Sequence, residues 1–255
     1  MTLGLPLSTM CAFLLVLSRV AGLIAFLPVP GFRNAPDMLR VGFALAVTLA
    51  LFPVWPALPD ALPSNGQLTA WIFAEAGFGL VIGLAVACLT EAFQLATQVL
   101  GLQAGYGYAT TIDPTSQADA GVLQVVTMLI SSLLFLTLGL DRQLFRVLAA
   151  SFEKFPAGSW APTAASLDGI VRLGSGMFSL GLRVALPVVA LLLLLDISLA
   201  VLGRMQQQLQ LLSLAFPLKM LAALALLSAL APVFARIFES SATRTLSVLW
   251  QVVGR

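Results

Sequence analysis

Residues 70–106 read AWIFAEAGFGLVIGLAVACLTEAFQLATQVLGLQAGY, and this stretch decides the fold. Its first half, residues 70–89, is apolar enough to span. At about 1.5 Å per residue it covers the roughly 30 Å of a bilayer's hydrocarbon core. The second half carries Glu91, Gln94, Gln98 and Gln103 and cannot face lipid along its whole length. The pattern predicts one long element over about 67–106, suited to lipid at one end and in need of protein at the other. Within it Glu75, Gly79, Gly83 and Ala87 recur at i, i+4 and share one helix face. Glycine there lets a second backbone approach closely. Gly101 and Gly105 repeat the spacing further along.

Further apolar runs flank this stretch, at about 7–29, 41–55, 121–140, 170–204 and 211–238. Of the 255 residues, 60% are hydrophobic and 9% are charged. An ordinary globular domain carries about 25% charged residues, so a water-soluble all-helical protein is disfavoured. The expectation is an all-α, polytopic membrane protein of long, kinked helices and helical hairpins. It is read as one integral membrane domain over 1–255. The first basic residue is Arg19, inside the first run, so the start does not read as a cleavable signal peptide. Pro53, Pro56, Pro59 and Pro63 form a helix-incompatible connector. Residues 121–140 read as a clean span and 141–168 as the most polar connecting stretch. The fifth element is too long for one simple crossing, and Pro187 is where a kink is expected. Gln206, Gln207, Gln208 and Gln210 read as a polar turn.

The net charge of +2 argues against nucleic acid as a partner. There is no histidine, which removes the commonest general base and a common metal ligand. Cys11 and Cys88 lie in apolar runs and read as small buried hydrophobes. No zinc-protease or Walker A motif is present, and Asp113 and Asp196 lack the flanking pattern of an intramembrane aspartyl protease. No enzyme activity, cofactor or metal site is expected. Six charges, Arg19, Glu75, Glu91, Arg183, Asp196 and Lys219, lie in or at apolar runs. Each must pair, reach the membrane surface or face water. Structural ion pairs are one reading. A small secondary transporter working through these charges is the competing one.

Loop charge does not settle the sidedness. The turns after the first and fourth runs are both basic, whereas simple alternation puts them on opposite sides. The segment Gly105-Tyr-Gly-Tyr-Ala-Thr-Thr-Ile-Asp113-Pro114-Thr-Ser-Gln-Ala-Asp119, without a basic residue, reads as a flexible loop between apolar elements. Such a loop is tolerated at membrane depth only when protein buries it or a cavity hydrates it.

Several blocks together resemble the FliR family of flagellar biosynthesis proteins, which includes the corresponding type III secretion export-apparatus subunit. They are Leu17-Ser18-Arg19-Val20-Ala21-Gly22 with Pro28-Val29-Pro30-Gly31, then Glu75 with Gly79 and Gly83. Next come Gln98, Gly101, Gln103, Gly105 and Ala109 leading into Asp113-Pro114. Phe135-Leu136 with Gly139, Ser151-Phe152 and Pro156-Ala157-Gly158 follow. Leu186-Pro187, Gly203-Arg204, Gln208 and Phe216-Pro217-Leu218-Lys219 complete the order. Many members carry His, Pro and Gly where this chain has Leu140, Gln207 and Ala215.

The resemblance implies a structural subunit of the type III, flagellar, protein export gate in the bacterial inner membrane, at the flagellar basal body. It implies FliP-like and FliQ-like partners, other export-apparatus membrane proteins, surrounding membrane lipid, and unfolded secreted proteins in transit. It also implies a pore plug at Tyr106, Gly107, Tyr108, Asp113 and Pro114. The residues expected in helix packing and buried charge are Arg19, Glu75, Gly79, Gly83, Gly101, Gly105, Pro187, Asp196, Arg204, Pro217 and Lys219.

Overall fold

The structure is a computed structural model that describes residues 6–28, 35–56, 58, 63–106, 122–156, 158–161, 164–205 and 211–254. Among them the secondary structure is helical, with no strand. The helices are α1 Leu7–Ile24, α2 Asp37–Ala50, α3 Asn65–Ala104, α4 Val122–Thr137, α5 Leu140–Lys154, α6 Ala164–Met205 and α7 Leu211–Gly254. A 3-10 turn, Phe52–Val54, follows α2. The chain is an all-α membrane protein. Four helices carry segments long and apolar enough to cross a bilayer: Leu7–Ile24, Asn65–Ala104, Asp168–Met205 and Ala215–Trp250.

The boundaries of α3 have local causes. Ser64 and Gln67 form a reciprocal cap at its start. The Ser64 N–H donates to Gln67 Oε1 at 3.1 Å, and the Gln67 N–H donates to Ser64 Oγ at 3.4 Å. At its end Gly105 takes φ +86°. The Tyr106 N–H then donates to the Gly101 carbonyl at 3.0 Å and the Gly105 N–H to the Leu102 carbonyl at 3.2 Å. This paired closure needs a left-handed residue, and glycine adopts that conformation without strain.

The fourth run differs from its reading as a clean span over 121–140. Helix α4 stops at Thr137, Gly139 turns at φ +64°, and a separate helix starts at Leu140. The polar stretch read as a connector is therefore helix α5 over its first half, residues 141–154. Its charges explain the misreading. Arg142, Arg146 and Glu153 lie on the exposed face, while Leu140, Leu144, Val147, Leu148, Ser151 and Phe152 are buried. Asp141 in the first turn and Lys154 in the last complement the helix dipole. The last apolar run and its tail form one 44-residue helix, α7, with Pro217 and Pro232 inside it. Helix α6 runs for 42 residues through Pro187. The polar turn read at 206–210 lies outside the described residues.

The chain divides into two compact units. The first comprises Met1–Leu89, Phe135–Gly174 and Ser241–Arg255. Its core includes Leu15, Val16, Val20 and Leu23 of α1, Phe78 and Ile82 of α3, and the buried face of α5. The second comprises Thr90–Leu134 and Ser175–Ser240. There Ala96, Leu100 and Ala104 of α3 pack with Ala185, Val188 and Leu192 of α6 and Ala223 of α7. Phe93 meets Phe234 edge to face and Phe238 at a tilt, with ring centroids 4.4 and 5.2 Å apart. Burial is uneven among the crossing segments. Half of the most apolar window is buried in α1 and in α3, against 17% in α6 and 11% in α7.

Candidate functional site

Two clusters of charge are built into apolar surroundings, one in each unit. The first centres on Arg19 of α1 and Glu75 of α3, both with no solvent exposure. The Arg19 Nε donates to Glu75 Oε2. Its Nη1 donates to Ser151 Oγ at 2.9 Å and its Nη2 to the Phe155 carbonyl at 3.0 Å. The other carboxylate oxygen of Glu75 accepts from the Gly158 N–H at 2.9 Å. The guanidinium lies over the rings of Phe78 and Phe152, at 4.7 and 4.2 Å from their centroids. An arginine can be buried this way because its charge, its planar faces and three of its donor directions all find partners.

Close backbone contact makes that geometry possible. A Cβ on Gly79 would collide with the Arg19 carbonyl, and one on Gly83 would stand 2.7 Å from the Leu23 carbonyl. Gly22 of α1 meets the Ala76 carbonyl in the same way. Small residues on both helices therefore bring α1 and α3 within reach of the short Glu75 side chain. Gly158 takes φ +77°, and a Cβ there would strike the Trp71 ring. The turn that offers its N–H to Glu75 thus depends on glycine twice, for conformation and for space.

The second cluster lies in the other unit. Lys219 Nζ of α7 stands 2.8 Å from Asp196 Oδ1 and 3.0 Å from Oδ2, the carboxylate belonging to α6. Gln103 Nε2 of α3 donates to the same Oδ2 at 3.1 Å. Side-chain exposure is 13% for Lys219 and 37% for Asp196, so this pair is reachable from outside the chain. Nearby, the Tyr106 hydroxyl donates to the Met220 carbonyl at 3.4 Å, and the Phe216 ring covers Gly105. Partial burial holds the Tyr106 phenol above its ordinary pKa, so it stays a donor.

The sequence-derived residues therefore fall into three groups. Arg19, Glu75, Gly79 and Gly83 meet in the first unit. Asp196 and Lys219 meet in the second, and Gly105 lies under the Phe216 ring there. Gly101 has ordinary contact with Leu123, Pro187 and Pro217 are inside their helices, and Arg204 is exposed in the last turn of α6. Of the residues assigned to a plug, Tyr106 is described, while Gly107, Tyr108, Asp113 and Pro114 lie outside the described residues.

The sequence profile of the bacterial export proteins, family 1, matches residues 10–245, which takes in both clusters. The chain belongs to this family. It is 29% identical to the flagellar biosynthetic protein FliR of Escherichia coli (strain K12), over 93% of this chain and 91% of that protein. It is 28% identical to the protein of that name from Bacillus subtilis (strain 168), over 82% and 81%. The counterpart in Pectobacterium carotovorum is 27% identical over 84% and 82%. The resemblance to the FliR family read from the ordered blocks is borne out by these matches.

In this export-family chain, sequence reasoning missed Ser151, Phe152, Phe155 and Gly158 as ligands of the buried pair. Ser151, Phe152 and Gly158 entered only as parts of resemblance blocks, and Phe155 not at all. Gly22 was missed as the partner of the α3 glycines, although it stands four residues after Ser18, a small-residue spacing on α1.

Proposed function

We propose that this chain is a structural subunit of the flagellar type III export gate, contributing helices and a plug loop to a protein-conducting channel. It works beside FliP-like and FliQ-like subunits as a multi-pass protein of the bacterial inner membrane, at the flagellar basal body. Family membership and the names of the relatives support the export role. The observation that carries the plug reading is the end of α3. There a left-handed Gly105 and a Tyr106 hydrogen-bonded to α7 deliver the chain into the uncharged-to-acidic segment 107–119.

The mechanism needs no bond chemistry. A loop held by weak contacts closes the pore to ions, and an entering unfolded chain displaces it. The switch is supplied by contacts that differ between closed and open states. Tyr106, Gly107, Tyr108, Asp113 and Pro114 are the residues assigned to the plug. Deleting part of 107–116 is expected to raise ion leakage across the membrane while the subunits still assemble. A shortened chain that assembles and stays ion-tight sinks the assignment.

One observation favours a second reading, a small secondary transporter. The Asp196 carboxylate, paired with Lys219 and Gln103, is partly exposed within apolar helices. Purification separates the two readings. A stable hetero-oligomer with small membrane subunits supports the gate, and a monomer or homodimer that binds a small solute supports the transporter.

A further inference from the structure

Two glycines of α6, Gly174 and Gly176, have no packing role among the described residues. Nothing lies within 4 Å of a Cβ built on either. Both sit well inside a 42-residue helix. Glycine weakens a helix interior relative to alanine, because it gives up more backbone freedom on folding. Gly181 shows the contrast. A Cβ there would stand 2.7 Å from the Ala92 carbonyl, so α6 needs that glycine to lie against α3. A docking face does not account for the open pair either. Gly174 and Gly176 are about 200° apart around the helix, with Ser175 between them. One neighbouring helix reaches one side only. What the two glycines share is a soft backbone.

Their place in the fold gives that softness a use. The first compact unit leaves α6 at Gly174 and the second begins at Ser175. From Gly169 to Leu180 no residue of α6 is buried, whereas Gly181, Ala185, Val188 and Leu192 further on are. Few neighbours therefore hold this stretch in place. Helix α7 passes from the second unit to the first at Ser240–Ser241. There the Ser240 hydroxyl donates to the Ile237 carbonyl at 3.0 Å, and the Thr245 hydroxyl to the Ser241 carbonyl at 3.0 Å. Hydroxyls that take helix carbonyls in this way favour bending. Helix α3 is built differently. It passes between the units at Leu89–Thr90, with no glycine between Gly83 and Gly101, and Val86, Leu89, Thr90 and Phe93 are all buried.

We infer that α6 is hinged at Gly174-Ser175-Gly176, with a second, stiffer joint in α7 at Ser240–Ser241, while α3 carries the rigid connection. Such joints let one unit move while the other keeps its packing, the buried Arg19–Glu75 pair included.

The test measures bending along α6 itself, in the full chain in lipid bilayers. Cys11 and Cys88 are replaced by alanine, and spin labels are placed in pairs at exposed positions. Val171 and Leu186 bracket the joint, about 22 Å apart along a helix. Leu186 and Leu202 bracket a control stretch, about 24 Å apart, that contains Pro187, so a proline kink alone does not mimic the result. Pulsed electron spin resonance gives the distance distribution of each pair. The Val171–Leu186 distribution is expected to be at least twice as wide as the control. Gly174→Ala with Gly176→Ala narrows it at least twofold, and circular dichroism checks that the chain is still folded. Adding Ser175→Gly to that double variant widens it again, because softness can be restored on another side of the helix and a packing surface cannot. If the double variant does not fold, Gly174→Ala and Gly176→Ala are read singly, each narrowing the distribution in part. A wild-type distribution as narrow as the control, a width unchanged by the alanines, or no recovery with Ser175→Gly overturns the hinge.

Discussion

Replacing Arg19 by methionine tests the structural claim on which most of the first unit depends. The substitution keeps an apolar stem and removes the guanidinium. Glu75, with no exposure, then retains only the Gly158 N–H, and the Phe155 carbonyl loses its donor. Breaking a buried ion pair from one side costs about 3–5 kcal/mol, because a charge is left without compensation. Removing both charges in Arg19→Met with Glu75→Leu eliminates that term. The Phe155 carbonyl is unpaired in both variants, so what the double variant adds is an unpaired, part-buried Gly158 N–H, about 1–3 kcal/mol. The double variant is therefore expected to be no less stable than Arg19→Met alone, with a coupling energy of about 2 kcal/mol or more between the sites. Equilibrium unfolding of the purified chain in mixed micelles, followed by circular dichroism, measures all three variants. A loss below about 1 kcal/mol for Arg19→Met, or a double variant whose loss equals the sum of the singles, refutes the reasoning.

Gly79→Ala and Gly22→Ala should each cost about 1–3 kcal/mol in the same unfolding assay, because the new methyl group meets backbone rather than a movable side chain. Gly42→Ala in α2, where nothing lies within 4 Å, should instead stabilise by about 0.5–1 kcal/mol through helix propensity. Gly158→Ala combines a left-handed backbone with a collision at Trp71, and is expected to cost about 1–3 kcal/mol and shift Trp fluorescence. Lys219→Met should cost only about 1 kcal/mol, since Asp196 is partly exposed and keeps Gln103. Much of that loss should return when Asp196 is also changed to leucine, and a loss near the Arg19→Met value would show that the pair is far less hydrated than its exposure indicates.

The helical architecture was legible because the apolar runs are long and α3 carries both of its terminal signals. Its expected limits, 67–106, differ from Asn65–Ala104 by two residues at each end. Helix α5 was not legible from composition, because charge density hid a buried stripe at helical spacing: Leu144, Val147, Leu148, Ser151. Glu75, Gly79 and Gly83 could be placed on one face from spacing alone. The partner of that face could not, since Arg19 is 56 positions away and contact at such a distance is set by tertiary packing. The expectation that charges in apolar runs must pair or find water holds for Arg19, Glu75, Asp196 and Lys219. Arg183 instead lies exposed on the side of α6 away from its buried seam, which spacing shows only once that seam is known.

The hydrogen bonds of Arg19 also carry a consequence for biogenesis. Its partners lie 56, 132 and 136 positions later in the chain. At about 5–20 residues per second, Phe155 is translated about 7–27 s after Arg19. Through that interval the first helix holds an arginine whose full set of ligands does not yet exist, against an insertion penalty of about 2.5–3.5 kcal/mol for a centrally placed charge. A product truncated before Phe155 keeps that defect permanently. The buried pair thus has its full set of ligands only in a chain that extends through Gly158, and α1 of any shorter product carries an arginine with donors left over.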